Sequence, residues 1–135
     1  MKIAVIGDYD ETDRAHQAVP PALGIAAESL QAEIDSSWIR SSELAAAELR
    51  DFDAFWVVPL SPYQDPPAVI DAIGFGREQD LPYLGTCADY QYAVLEYARN
   101  RLGLSAADSI EYNPERSAFK RQQHPLIREF VRAAV

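Results

Sequence analysis

A cysteine held between the end of a strand and the start of a helix is placed to act as a nucleophile, and the only cysteine of this chain sits at such a corner. The run Leu81-Pro82-Tyr83-Leu84-Gly85-Thr86 reads as an apolar strand, and helical spacing begins directly after Cys87. A side chain on that turn projects above the sheet, beside the free N–H groups of the new helix. The partial positive charge of the helix terminus favours thiolate, the form that attacks a carbonyl carbon. The competing reading is structural, because a single buried cysteine in an α/β protein usually serves as a small core hydrophobe.

The elements around the corner alternate between strand and helix. Lys2 to Ile6 reads as a buried first strand stopped by Gly7-Asp8, with its C-terminal end toward the site. Pro20-Pro21 suits the first turn of a helix running to Leu30, with His16 in the entry ahead of it. Glu33 to Arg40 reads as a second strand with Ile34 and Trp38 inward, followed by a short serine-capped helix from Ser41 through the alanine-rich stretch to Leu49. Phe52 to Val58 is the clearest strand, and Ala68 to Gln79 has helical spacing despite Gly74 and Gly76, whose small size suits close packing on the sheet. The helix after Cys87 runs to about Leu102, Ser109 to Tyr112 is a candidate fifth strand, and Pro125 opens a last amphipathic helix. This order predicts a single α/β domain over residues 1–135 with a parallel sheet.

Composition narrows the function classes. The net charge of −9 argues against nucleic acid or an anionic membrane as a partner, since the field of the molecule repels phosphate. No apolar run approaches the roughly 20 residues of a membrane span, and the direct entry into a first strand leads one to expect no leader. One cysteine forms no internal disulfide, which predicts a reducing, cytoplasmic setting.

The segment Gly85-Thr86-Cys87, with Gln91 and the helix Ala93-Val94-Leu95-Glu96-Tyr97-Ala98-Arg99-Asn100, resembles the nucleophile elbow of class I glutamine amidotransferases, specifically that of the CTP synthase glutaminase domain. That family reads Gly-Ile-Cys-x-Gly-x-Gln and then a helix near Ala-Val-Ile-Glu-Phe-Ala-Arg-Asn. The likeness extends to the first strand around Lys2–Tyr9 and to the final segment Pro125–Ala134. It implies a three-layer, flavodoxin-like α/β sandwich, mostly parallel and shortened. For the site it implies Cys87 as nucleophile, the Ala88 N–H as an oxyanion donor, and Gln91 with the Leu60-Ser61 region against substrate. Glutamine or a similar small molecule is the expected ligand and a separate synthetase the expected partner, with no cofactor.

The sequence also departs from the family pattern. Leu60 and Ser61 stand at two glycines of the oxyanion loop, and Pro62 after them has no N–H to donate. The motif that holds the general base reads Asn113-Pro114-Glu115, so Glu115 matches the family glutamate while Asn113 has no titratable nitrogen. His124 is the other downstream candidate for the base. Asp89 replaces a glycine of the elbow, and a carboxylate there opposes thiolate formation. Strands that the family inserts before its late motif are missing between Leu104 and Tyr112, which predicts an exposed sheet edge and self-association into a homo-oligomer. Two readings follow: a glutamine amidotransferase domain that is weak or inactive alone, and a noncatalytic relative that binds or interacts.

Overall fold

The computed structural model describes residues 1–59 and 62–109. Four strands, β1 (Lys2–Ile6), β2 (Asp35–Ile39), β3 (Ala54–Val57) and β4 (Tyr83–Gly85), form one sheet in the order β2-β1-β3-β4, and every pairing is parallel. Three α-helices connect or follow them: α1 (Arg14–Leu30), α2 (Pro66–Glu78) and α3 (Ala88–Asn100). The strand-helix alternation and three-layer arrangement expected from the sequence are present. The candidate strand at Ser109–Tyr112 and the helix at Pro125 fall largely or wholly outside the described residues.

The two faces of the sheet are covered unequally. Ala4, Ile6, Phe55 and Val57 point into the larger core, where they meet Val69, Ile70 and Ile73 of α2 and Tyr92 and Leu95 of α3. Each fully buried side chain of this size contributes roughly 1.5–3 kcal/mol. On the opposite face Val5 and Val58 pack with Val19 and Leu23 of α1 between Trp38 and Trp56, a much smaller cluster. The small residues of α2 allow the closer approach. A Cβ on Gly76 would lie 2.6 Å from Cζ of Phe55, and one on Gly74 would lie 3.1 Å from a carboxylate oxygen of Glu96.

Several expected boundaries move. α1 starts at Arg14, capped by the Asp13 side chain on the N–H groups of Ala15 and His16, so Pro20 and Pro21 lie inside the helix. An aspartate cap seven residues ahead of Pro20 outweighs the preference of proline for a first turn, although the proline rings leave the carbonyls of His16 and Gln17 without their usual helical donors. The expected helix after β2 is instead two 3-10 segments, Ser41–Glu43 and Ala46–Asp51. Ser41 does not cap its segment: it is the first residue inside it, after Arg40 at the cap position, and its hydroxyl donates to Asp8. Ile34 lies just ahead of β2, while Trp38 is in the strand and packs inward as expected.

Candidate functional site

Register places the strand ends on one line. Ile39, Ile6, Val57 and Gly85 are successive cross-strand partners at the C-terminal side of the sheet. Two residues beyond them come Ser41, Asp8, Pro59 and Cys87, so four loops from distant parts of the sequence meet at one edge. In a parallel sheet this is where ligand-facing loops collect.

Cys87 has φ 60° and ψ −120°, a backbone conformation rarely adopted by non-glycine residues, and it is the N-cap of α3. Such a conformation costs about 1–3 kcal/mol and is retained where the surroundings dictate it. Here the turn must pass from β4 into α3 within two residues, beside Gly85, where a Cβ would collide with the hydroxyl of Tyr83. The thiol side chain is exposed, which overturns the buried-hydrophobe reading. The three helices are capped differently. Asp13 caps α1 and Asp65 caps α2 by accepting from backbone N–H groups, whereas Cys87 makes no side-chain cap hydrogen bond. The Ala88 N–H, in the first turn of α3, therefore has no intrahelical acceptor and no cap from the Cys87 side chain to compete with an incoming oxyanion.

The neighbouring loops are tied down by Asp8. Its oxygens accept from the Ser41 hydroxyl at 2.8 and 2.9 Å, from the Ser41 N–H at 3.1 Å and from the Gln64 N–H at 2.7 Å. The Ser41 oxygen in turn accepts from the Asp65 N–H at 3.0 Å. One buried serine and one aspartate thus join the ends of β1 and β2 to the start of α2. The sequence marked Gly7-Asp8 as the end of a strand that faces the site, yet nothing local specified Ser41 as its partner 33 residues away.

His16 is fully buried within α1. Its Nδ1 accepts from the Asp10 N–H at 2.9 Å, which leaves Nε2 to donate to the Pro59 carbonyl at 2.6 Å. Tyr9 stacks on the ring and Trp38 meets it edge-on. Both nitrogens are committed to backbone groups, so His16 anchors the loops after β1 and β3 and is not poised as a base.

Asp89 and Glu96 are two fully buried carboxylates on α3. Glu96 accepts from Arg77 at 2.8 and 3.1 Å and from the Asn100 amide at 3.1 Å. Burial raises its carboxyl, but the Arg77 and Asn100 hydrogen bonds and the charges of Arg77 and Arg101 hold it below the ordinary glutamate value. Asp89 has no hydrogen-bond partner for either oxygen. Burial pushes its carboxyl from 3.8 up to about 7, against a smaller downward pull from its own N–H and that of Thr86, neither of which is in hydrogen-bonding geometry with it. The Tyr83 hydroxyl bonds the Asp89 carbonyl at 3.0 Å rather than the carboxyl.

The sequence-predicted site residues thus divide. Cys87, Ala88 and Gln91 come together on the corner and the first turns of α3, with Gln91 exposed. Leu60, Ser61, Glu115 and His124, together with Asn113, lie outside the described residues. Among the described residues β4 is the strand next to β3 from which the corner rises. Among the described residues no cluster of three or more His, Cys, Asp or Glu could hold a metal ion, and no helix is long and apolar enough to cross a membrane.

Comparison with known proteins places the corner in context. No protein-family model matches the chain. It is 35% identical over 119 residues to a CTP synthase of Sulfolobus acidocaldarius, 32% over 133 residues to that of Methanopyrus kandleri, and 38% over 119 residues to that of Staphylococcus carnosus. These alignments cover 84%, 94% and 85% of this chain but only 22%, 24% and 22% of the relatives. Among solved structures, the glutaminase domain of Trypanosoma brucei CTPS with bound acivicin superposes with a TM-score of 0.74 at 26% identity. That superposition covers 86% of this chain and 47% of the solved one.

Proposed function

Because the chain is, in sequence and fold, a CTP synthase-like domain of the class I glutamine amidotransferases, we propose that its corner is a glutaminase-type site that is weakly active or inactive in the isolated chain. The observation that carries the amidotransferase reading is the exposed Cys87 at φ 60° on the N-cap of α3, with no side chain capping the helix. In the proposed reaction the Cys87 thiolate attacks the side-chain amide carbon of glutamine. The Ala88 N–H holds the oxyanion, ammonia leaves with the proton of a general acid, and water cleaves the thioester to glutamate. Gln91 and the Leu60-Ser61 loop contact the substrate, and Glu115 and His124 are the remaining candidates for the proton-handling pair.

The weakness of the isolated chain follows from its residue types. Asn113 takes the place of the general base, and Leu60-Ser61-Pro62 that of a glycine oxyanion loop. Acid–base help is worth about 10²–10⁴ in rate and one oxyanion donor about 10²–10³. A separate synthetase chain is the proposed user of any ammonia, and a second copy pairing at the sheet edge the proposed assembly. The second reading, a noncatalytic binding module, is favoured by one observation: His16 is spent on the backbone.

An ammonia assay with glutamine, run beside mass spectrometry of the chain treated with a glutamine-mimicking electrophile, separates the readings. The expected result is no ammonia above background and no labelling of Cys87 faster than by a generic thiol reagent. Rapid labelling with ammonia release, both lost in Cys87→Ser, would establish an active glutaminase. Light scattering over a wide concentration range tests the homo-oligomer, and a monomer throughout excludes it.

A further inference from the structure

The corner holds one group that the amidotransferase reading does not use. Asp89 lies two residues after Cys87 in the first turn of α3, has 0% exposure, and has no hydrogen-bond partner on either carboxyl oxygen. A buried carboxylate without a donor is costly, and the usual escape is to keep the proton. Its surroundings offer little else. The Tyr83 hydroxyl on β4 is committed to the Asp89 carbonyl, and the Arg77 guanidinium on α2 is committed to Glu96 and Glu78. No charged side chain contributes to the shift of its carboxyl, which burial governs.

We propose that Asp89 is held as the neutral acid in the folded protein and that its ionisation controls how readily Cys87 yields a thiolate. The proton acts as the ligand of this switch. With Asp89 neutral, the first-turn N–H groups of α3 act on the sulfur unopposed. Once Asp89 ionises, a negative charge sits on the same helix turn and works against a second one on Cys87. Asp89 is thus a positioning residue for the charge of the thiol, and it does not touch substrate. The proposal goes beyond glutamine hydrolysis and holds for Cys87 with any electrophile.

The test is the pH profile of Cys87 alkylation by iodoacetamide. In that step the thiolate sulfur bonds the methylene carbon, iodide leaves, and the thiol proton has already passed to solvent. For the unsubstituted chain and for Asp89→Asn, the rates should coincide near pH 6 to within about twofold. By pH 8 the unsubstituted chain should be about three- to tenfold slower, the effect of one charge a turn away at intermediate dielectric. Asp89→Gly, the residue that the family pattern carries here, should follow Asp89→Asn. This second variant covers a failure of the first to fold, and direct titration of the Asp89 carboxyl in the unsubstituted chain by carbon-detected magnetic resonance needs neither. Profiles that superpose at every pH, a rate difference that does not change with pH, or a carboxyl that titrates below pH 5 would overturn the proposal. Because iodoacetamide needs no glutamine, a missing glutaminase activity leaves this result unaffected.

Discussion

Asp89 and Glu96 lie seven residues apart on the same helix, both are buried, and they have opposite fates. Glu96 is enclosed by Arg77 from α2 and Asn100 one turn on, so its charge is met by hydrogen bonds within 3.2 Å. Asp89 is buried with no hydrogen-bond partner on either oxygen. The difference separates the two ends of α3 by role. The C-terminal half is a structural joint in which a buried charge was accepted because its partners arrive from two directions. The N-terminal half carries a strained cysteine, an uncapped helix end and an orphan carboxyl, costs that stability alone does not select.

The joint should break hardest. Arg77→Ala leaves Glu96, only 1% exposed, without its cation. Removing one partner of a buried pair costs about 3–5 kcal/mol. Because Arg77 itself is 26% exposed, the lower end of that range is expected, read as a fall in the urea midpoint at unchanged slope. Replacing both partners together, with Glu96→Gln beside Arg77→Met, should cost much less than Arg77→Ala. If Arg77→Ala proves neutral, Glu96 is not held by charge.

The second effect is the pH dependence of stability, in which the two carboxylates have opposite signs. Asp89 has a folded value of about 7 against 3.8 unfolded, so the native state keeps a proton that the unfolded state has lost. Its contribution therefore declines as pH rises from about 4 to about 7, by up to about 1.4 kcal/mol per unit. Glu96 is lowered, so its contribution is present above the ordinary glutamate value and is lost as pH falls through the folded value. Asp89→Asn should remove the decline between pH 4 and 7 and leave the acid limb in place. A series of denaturation curves from pH 3 to 8 measures both limbs. An unchanged neutral limb in Asp89→Asn would mean that Asp89 is ionised in the fold.

The parts legible in the sequence were those with local causes. The apolar runs gave β1 and β3, the Gly-x-Cys turn gave the corner, and the small residues of α2 signalled close packing that Gly74 and Gly76 provide. What stayed hidden depended on partners distant in the chain. The match of Glu96 and Asn100 to the family helix was visible, but that they share Arg77 was not, because α2 and α3 are brought together only by the sheet. His16 reads as an entry residue because Pro20-Pro21 suggests a later helix start, and its two backbone partners, the Asp10 N–H and the Pro59 carbonyl, are set by the fold of two loops. Asp89 was legible as a charge near sulfur, but its burial was not, since the first turn of a helix normally leaves an acid solvated at the positive end of the dipole.

The smallest expected effect concerns the backbone of the corner itself, and it runs toward greater stability. At φ 60° and ψ −120°, Cys87 occupies a region where a Cβ is disfavoured and glycine is not. Cys87→Gly relieves that strain, while the added freedom of glycine in the unfolded chain works against the gain. The relief of about 1–3 kcal/mol exceeds that entropic loss of about 0.4–1 kcal/mol, so a net stabilisation on the order of 1 kcal/mol is expected. Since the exposed thiol fills no cavity, little packing is lost to offset it. Cys87→Ala keeps the Cβ and should leave stability near that of the unsubstituted chain. The contrast between the two, measured in the same denaturation experiment, isolates backbone strain from side-chain loss. If glycine and alanine are equivalent, the corner is unstrained. If glycine alone stabilises, the chain carries a cost at Cys87 that packing does not require, as a residue kept for its thiol would.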